Sequence, residues 1–168
     1  IIIYDHNADR PDYPIHILND PEARKYTDGS AFHLYGGKIE ALSDVHNAHP
    51  DKNIYFTEQW IGAPGNFKQD FNEHIKKLII GATRNWSKTV LEWNLTSNPE
   101  NTPFTDRGGC NRCLGGVTLD NDVVTRNPAY YIVAHASKFV RPGSKRISSN
   151  EVEMLPNVAF KTPEGKTV

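Results

Sequence analysis

Asn53-Ile54-Tyr55-Phe56-Thr57-Glu58-Gln59-Trp60 is the stretch on which the fold prediction depends. It is rich in β-branched and aromatic residues and closes at the turn Gly62-Ala63-Pro64-Gly65, which predicts a buried strand. Residues 66–83 then place apolar side chains at steps of three and four with charged side chains between them, which predicts an amphipathic helix. A strand followed by a helix is the repeating unit of an α/β fold.

Similar units lie on both sides of this stretch. Further strands are predicted at Ile1–Tyr4, Ala31–Tyr35 and Thr89–Leu95, and further helices at Pro21–Tyr26, Lys38–Asn47 and Pro128–Val140. The first strand is followed by the polar Asp5-His6-Asn7 and then by a predicted long loop that contains Pro11 and Pro14, and residues 96–127 are predicted to be a long polar loop. Four strand–helix units in succession require parallel pairing, so the sequence predicts an α/β fold.

The position of polar residues distinguishes a barrel from an open doubly wound sheet. They cluster near the predicted carboxyl ends of the strands: Asp5, His6, Asn7, His33, Tyr35, Glu58, Trp93 and Asn94. Barrel enzymes draw their active sites from several strands at that face, and no glycine-rich nucleotide fingerprint follows the first strand. Four units make half of an eightfold barrel, so residues 1–144 are predicted to form that half. Residues 145–168 are predicted to begin a second, β-rich domain.

Composition excludes several classes of partner. A formal net charge of -1 favours neither nucleic acid nor a membrane surface and suits a neutral ligand. No apolar run reaches the roughly 20 residues of a membrane span, and Ile1–Tyr4 is too short for a signal peptide core. Because the chain starts inside a predicted strand, we expect a fragment or a processed piece of a longer protein.

Two cysteines, Cys110 and Cys113, form a C-x-x-C in a glycine-rich segment. The spacing suits a small loop-closing disulfide, a pair of free thiols, half of a zinc site or a redox motif. Zinc normally needs a second pair of ligands and redox catalysis needs a helix start, and neither context is evident. A disulfide would indicate an oxidising compartment.

Glu58 is the first candidate for chemistry. A carboxylate beside Tyr55, Phe56 and Trp60 is costly to bury unless it is hydrogen-bonded or used. The alternatives are a structural ion pair and a solvated position. Glu92 is predicted to pair with a cation rather than to act on substrate.

Histidine and aromatic side chains are further candidates beside Glu58. His33 and Tyr35 share one face of their strand because side chains alternate with period two, although each alone is also typical of a core residue. Trp93 suits either stacking on a sugar or filling the core. A hydrogen bond from Tyr35 to Glu58 would stabilise the charged carboxylate.

Four segments together resemble glycoside hydrolase family 30: Tyr55-Phe56-Thr57-Glu58-Gln59-Trp60, His33-Leu34-Tyr35, Glu92-Trp93-Asn94-Leu95, and Pro128-Ala129-Tyr130-Tyr131 with the later His135-Ala136-Ser137-Lys138-Phe139-Val140-Arg141-Pro142-Gly143-Ser144. The resemblance covers nearly the whole chain, in order. It implies a (β/α)8 TIM barrel with an appended β-sandwich, and it places residues 1 to about 140 on barrel strands five to eight.

The resemblance also implies roles for particular residues. It makes Glu58 the catalytic nucleophile. It implies that the substrate is bound by His33, Tyr35, Trp93, Asp5, His6, Asn7 and Trp60. The family's acid/base lies in an Asn-Glu-Pro motif on strand four, and no such tripeptide occurs here; Asn98-Pro99-Glu100 has the wrong order. A retaining glycosidase needs two carboxyl groups about 5 to 5.5 Å apart, so this chain holds half of the mechanism.

The implied function is retaining hydrolysis of β-glucosides, either β-1,6-glucan or a glucosylceramide-like substrate of sphingolipid metabolism. No metal or organic cofactor is required. The expected partners are a carbohydrate and the missing N-terminal half of the barrel, and the substrate class and cysteine pair predict a secreted or periplasmic protein. The alternatives are a non-catalytic carbohydrate-binding or structural half-barrel, and a dimer of two half-barrels.

Overall fold

Four parallel strands form the largest sheet of the chain, whose computed structural model describes residues 1–168. The strands are β1 (Ile2–Ala8), β2 (Gly29–Gly37), β3 (Asn53–Glu58), β4 (Ile61–Gly62), β5 (Ser87–Val90), β6 (Thr96–Ser97), β7 (Cys113–Leu114), β8 (Val117–Asp120), β9 (Val123–Arg126), β10 (Lys145–Ile147) and β11 (Ala159–Lys161). The order β1-β2-β3-β5, with every pairing parallel, confirms the predicted α/β class.

Helices connect these strands. They are α1 (Asp12–Asn19), α2 (Pro21–Tyr26), α3 (Ala41–Ala48), α4 (Phe67–His74), a π-helix (Ile75–Ile80), α5 (Gly81–Arg84) and α6 (Pro128–Ser137). The start of α2 follows from its sequence, because Asp20 accepts a hydrogen bond from the amide of Glu22 at 2.8 Å and Pro21 needs no amide partner. The predicted helix at residues 66–83 is present, but its middle turn is π-helical.

Alternation along β3 separates a core face from a polar face. Ile54 and Phe56 are buried in a cluster with Phe32, Leu42 and other apolar side chains of the connecting helices. Tyr55 and Thr57 alternate onto the opposite face, where both side chains make polar contacts. The core therefore lies between sheet and helices and leaves the other face of β3 for polar side chains.

The long loop predicted after Asp5-His6-Asn7 is wrong, because a helix occupies most of it. β1 continues to Ala8, and α1 begins at Asp12 in spite of Pro14. Proline is tolerated there because the amides of a helix's first turn have no carbonyl partner within the helix. Pro14 and Leu18 are buried, so packing favours this helix.

The fourth strand is shorter than predicted. β5 ends at Val90. Just beyond it, the Leu91 amide donates a hydrogen bond to the Phe56 carbonyl of β3 at 3.1 Å. Trp93 instead forms an isolated parallel bridge with Trp60. A β-branched and aromatic run predicts extended backbone, but it does not fix where the partner strand ends.

Residues 96–127 are not an unstructured loop, which corrects a second prediction. β6, β8 and β9 form a three-stranded sheet, and β7 pairs with β4. The hairpin between β8 and β9 turns at Asn121, whose φ is 50°. Asparagine tolerates this left-handed conformation, so Asn121-Asp122 was a turn signal within the polar stretch.

The chain divides into two compact units. The first comprises residues 1–59, 76–91 and 148–158, and the second comprises residues 60–75, 92–147 and 159–168. In the second unit, β10 and β11 pair antiparallel. None of the helices combines the length and the hydropathy that a membrane crossing requires.

Candidate active site

Glu58 and Tyr35 meet at the carboxyl end of the parallel sheet, in the first unit. Glu58 is the last residue of β3 and is partly buried, whereas 41% of Tyr35 is exposed. The tyrosine hydroxyl donates a hydrogen bond to Oε1 of Glu58 at 3.0 Å, so the contact expected from the sequence is present. This bond orients the carboxylate.

Register shifts on both sides of β2 determine which side chains meet there. On β1, Tyr4 pairs with Ala31 and His6 with Phe32, so Asp5 is an extra residue. On β3, the partner of Phe32 is Phe56 and that of His33 is Glu58, so Thr57 is an extra residue. Such bulges redirect side chains and are frequent beside active sites. Without the shift in β3, Thr57 would stand opposite His33 in place of Glu58.

The two extra residues are hydrogen-bonded to each other. The Thr57 hydroxyl donates to Oδ1 of Asp5 at 2.6 Å, and Nε2 of His33 lies 3.2 Å from the same oxygen. A carboxylate accepts hydrogen bonds, so Nε2 is the ring nitrogen of His33 that can donate in this contact. Asp5 thereby fixes the orientation of the imidazole, which is 12% exposed.

The backbone at the first bulge lies in a sparsely populated region. φ is 76° at Tyr4 and 53° at Asp5. The Tyr4 hydroxyl, bonded to the carbonyl of Asn7 and to the Asp9 carboxylate, braces this conformation. Burial, together with the Asp9 charge, raises the pKa of Tyr4, so the hydroxyl keeps its proton and remains a donor.

His6 and Asn7, also predicted from sequence, lie on β1. The rings of His6 and His33 are 6.3 Å apart, and those of His33 and Tyr35 are 6.0 Å apart, both in edge-on contact. Asn7 has a buried Oδ1 without a hydrogen-bond partner. The structure therefore connects His6, Asp5, His33, Tyr35 and Glu58 through direct contacts.

Trp60 and Trp93 belong to the second unit, where their backbones form the parallel bridge described above. Trp93 is 45% exposed, and Trp60 is partly exposed. The two tryptophans predicted to bind sugar are thus brought together.

Glu92 has the structural role that the sequence indicated. Its two carboxylate oxygens lie 2.9 and 3.0 Å from Nδ1 of His74. The side chains are 4% and 12% exposed, so the pair is shielded from solvent. The Glu92 carboxylate is therefore paired with His74.

Cys110 and Cys113 form a disulfide, with their Cα atoms 5.5 Å apart. Cys113 lies in β7 and pairs with Gly62 of β4. No group of three or more His, Cys, Asp or Glu side chains is arranged to hold a metal ion.

Sequence reasoning missed Thr57 and Gln59. Oε1 of Gln59 accepts a hydrogen bond from the Leu34 amide at 3.2 Å, which ties β2 to the end of β3. Thr57 was treated only as a strand former, because nothing in a single sequence marks the bulge that directs it to Asp5. Both residues are adjacent to Glu58 in the sequence, and this adjacency was the only sequence signal that pointed to them.

Comparisons with known proteins agree with this geometry. The sequence profile of the glycosyl hydrolase family 30 TIM-barrel domain matches residues 1–140. Endo-1,6-beta-D-glucanase neg1 of Aspergillus fumigatus is 39% identical over 145 residues, which is 84% of this chain and 28% of that protein. Lysosomal acid glucosylceramidase of Mus musculus is 27% identical over 168 residues, which is 90% of this chain and 32% of that protein.

Solved structures show the same fold. The endo-beta1,6-glucanase BT3312 matches 98% of this chain and 39% of its own with a TM-score of 0.86 and 33% identity. SrfJ from Salmonella typhimurium matches 99% of this chain and 38% of its own with a TM-score of 0.88 and 28% identity. The chain therefore spans between a quarter and two-fifths of the length of these relatives.

Proposed function

The chain belongs to glycoside hydrolase family 30, and on that premise we propose that it supplies the nucleophile of a retaining β-glycosidase acting on β-glucosides. The observation that carries the proposal is the Tyr35–Glu58 hydrogen bond at the carboxyl end of a parallel sheet. That end is where barrel enzymes place their catalytic residues. Glu58 is oriented by a neutral donor and remains accessible, as a nucleophile must.

In the proposed reaction, the Glu58 carboxylate attacks the anomeric carbon and forms a covalent glycosyl-enzyme. The bond to the leaving oxygen breaks, and an acid/base carboxyl group from outside this chain donates the proton to that oxygen. The same group then takes a proton from a water molecule, whose oxygen attacks the anomeric carbon and breaks the bond to Glu58, so the sugar leaves with retained configuration. The residues proposed to bind the sugar around Glu58 are His33, Tyr35, Asp5, His6 and Asn7. In the second unit, Trp60 and Trp93 are proposed as aromatic surfaces for sugar binding.

The proposed architecture assigns β1, β2, β3 and β5 to strands five to eight of a (β/α)8 barrel. It makes residues 145–168 the start of a β-sandwich. The all-parallel sheet and the match of residues 1–140 to a TIM-barrel domain support the first assignment. The antiparallel β10–β11 pair supports the second. The partner of this half is then the remainder of the barrel.

The proposed substrate is a neutral β-glucan with β-1,6 linkages, with glucosylceramide as the second candidate. Identity to the Aspergillus endo-1,6-glucanase is 39%, against 27% to the mouse glucosylceramidase. The Cys110–Cys113 disulfide supports a secreted or periplasmic location, because disulfides persist in oxidising compartments.

The test is covalent labelling of the full-length protein with a 2-deoxy-2-fluoro-β-glucoside that carries an activated leaving group. Such a reagent hardly needs the acid, so the intermediate accumulates. We expect one glycosyl adduct by intact mass, and peptide mapping should place it on Glu58.

Glu58→Gln should take up no label, and Glu40→Gln, which removes an exposed carboxylate, should be labelled like the parent. An adduct on another carboxylate would contradict the assignment of Glu58. Absence of label together with tight binding of gluco-oligosaccharides would favour the non-catalytic carbohydrate-binding alternative.

A further inference from the structure

Trp60 and Arg112 meet over Gly62 in the second unit. If Gly62 carried a Cβ atom, this atom would lie 3.1 and 3.3 Å from two carbons of the Trp60 indole and 3.7 Å from Nη2 of Arg112. The missing side chain thus lets an aromatic ring and a guanidinium approach the same stretch of backbone. We call Trp60, Gly62 and Arg112 the indole–guanidinium platform.

The backbone of Arg112 is held in place from several directions. Its carbonyl accepts a hydrogen bond from the Ala63 amide at 2.7 Å. The next residue, Cys113, is 5% exposed and pairs with Gly62 in the β4–β7 ladder. The disulfide to Cys110 closes the turn around Arg112. The guanidinium therefore projects from an ordered base, which lowers the entropic cost of binding a ligand.

The guanidinium itself has no protein partner. No carboxylate lies within ion-pair distance of Arg112, and its side chain donates no hydrogen bond, although it is exposed beside an indole. Arg84 differs in this respect. Its guanidinium donates hydrogen bonds to Asn157, Ser149 and the Asn150 carbonyl and therefore has a structural role. Arg112 keeps five N–H donors available in a fixed fork.

We propose that Arg112 determines specificity by donating hydrogen bonds to the hydroxyl groups of a glucosyl unit whose ring stacks on Trp60. This inference rests on the proposed function and adds a residue to the sugar-binding role proposed for Trp60. An indole offers an apolar surface to the C–H face of a pyranose. The hydroxyls at the rim of that pyranose are equatorial and adjacent, and a planar guanidinium can donate two parallel bonds to such a pair.

Binding should be measured by calorimetry on the full-length protein carrying Glu58→Gln, which stops turnover, with a β-1,6-linked gluco-oligosaccharide as the ligand. In that background, Arg112→Ala should weaken affinity by about 10-fold or more, because hydrogen bonds from a charged donor are lost. Arg112→Lys should recover part of the loss, since a single ammonium cannot donate two parallel bonds.

Arg107→Ala is the matched control, because Arg107 is another exposed arginine of the same polar segment, and affinity should stay at the parental value. Gly62→Ala should also weaken binding, since its methyl group would lie only 3.1 Å from the nearest indole carbon and would push the ring aside. Thermal unfolding of each variant would show that the fold is intact.

Parental affinity in Arg112→Ala would overturn the inference while leaving the proposed function in place. Failure of the parent itself to bind or cleave any β-glucoside would overturn both. Equal weakening by Arg107→Ala and Arg112→Ala would also overturn it, because a diffuse positive charge would then explain the effect.

Discussion

The two ends of the parallel sheet in the first unit differ in how completely their polar groups are paired. At the amino end, Asp28 accepts hydrogen bonds from the Tyr55 hydroxyl and from Nδ2 of Asn53 at 3.1 Å. Lys52 donates to two backbone carbonyls there, at 2.7 and 2.9 Å. Each of these side chains is engaged with other parts of the chain, which is typical of a stabilising region.

At the carboxyl end, the same strands carry bulges at Asp5 and Thr57, positive φ angles and an unpaired buried oxygen on Asn7. Tyr55 and Glu58 are three residues apart on β3, yet Tyr55 is bound to Asp28 in a structural pair, whereas Glu58 is partly exposed and accepts a hydrogen bond from Tyr35. On the proposed function, the two tasks are separated along each strand: the amino end stabilises the fold, and the carboxyl end binds the substrate.

Glu58→Gln should produce the largest effect at the carboxyl end. We expect kcat of the full-length enzyme on an aryl β-glucoside to fall by about three orders of magnitude or more, because the amide cannot form the covalent intermediate. The melting temperature should stay close to that of the parent. Glu40→Gln is the control for loss of an exposed carboxylate. Full activity in Glu58→Gln would contradict the division of tasks.

Tyr35→Phe should have the second largest effect. It removes the donor to Oε1 of Glu58 and should reduce kcat by about 10- to 100-fold. Since Tyr35 is 41% exposed, little stability should be lost. Steady-state kinetics and thermal melts measure the two quantities separately. A large loss of stability with unchanged kcat would show that this tyrosine belongs with the structural group.

Substitution of Asp5 tests whether its side chain maintains the bulge in β1. Asp5→Ala should reduce the free energy of unfolding by about 1–3 kcal/mol, because alanine is disfavoured at φ of 53° and the bonds to Thr57 and His33 are lost. Asp5→Asn tolerates the same φ and keeps an acceptor oxygen, so it should retain most of the stability. Denaturant unfolding of the two variants provides the comparison. Equal losses would mean that charge, not backbone conformation, maintains the bulge.

Tyr55→Phe should have the smallest effect, a small loss of stability above about pH 4 that disappears as the pH falls further. The hydrogen bond from Tyr55, with that from Asn53, lowers the pKa of Asp28. A carboxyl whose pKa is lower in the folded state adds stability above its unfolded pKa, near 3.8, and this stability is lost as pH falls through the folded value.

Tyr55→Phe should therefore flatten the fall in melting temperature below about pH 4 and leave activity at neutral pH unchanged. Tyr26→Phe, at a 71% exposed tyrosine, is the control and should follow the parent curve. A loss of neutral-pH activity in Tyr55→Phe would break the separation between the two ends.

Local sequence patterns were sufficient to predict most of the helices and strands of the first unit. The aromatic and β-branched run at residues 53–58 specified β3, and the Asp20-Pro21 pair specified the start of α2. They were insufficient for α1, where burial of Pro14 and Leu18 outweighed the usual effect of proline on a helix. The extent of β5 depended on where its neighbour β3 stops pairing, which no local pattern records.

The candidate active site shows even more clearly what local sequence patterns cannot predict. A resemblance indicated Glu58, His33 and Tyr35, but it did not indicate the bulges that align them. Register is a property of two strands together, so Thr57 could not be recognised as the partner of Asp5 from its own neighbours in the chain. Arg112 was missed for a related reason, because the β4–β7 pairing that brings it to Trp60 spans fifty residues of sequence.

Azide rescue of Glu58→Ala in the full-length enzyme tests the central claim most directly. With an activated aryl β-glucoside, azide can occupy the space of the missing carboxylate and attack the anomeric carbon from the side opposite the leaving group. The account predicts that azide restores turnover and that the product is the α-glucosyl azide. A β-glucosyl azide would make Glu58 the acid/base instead. No rescue, with parental activity remaining in the variant, would contradict a catalytic role for Glu58.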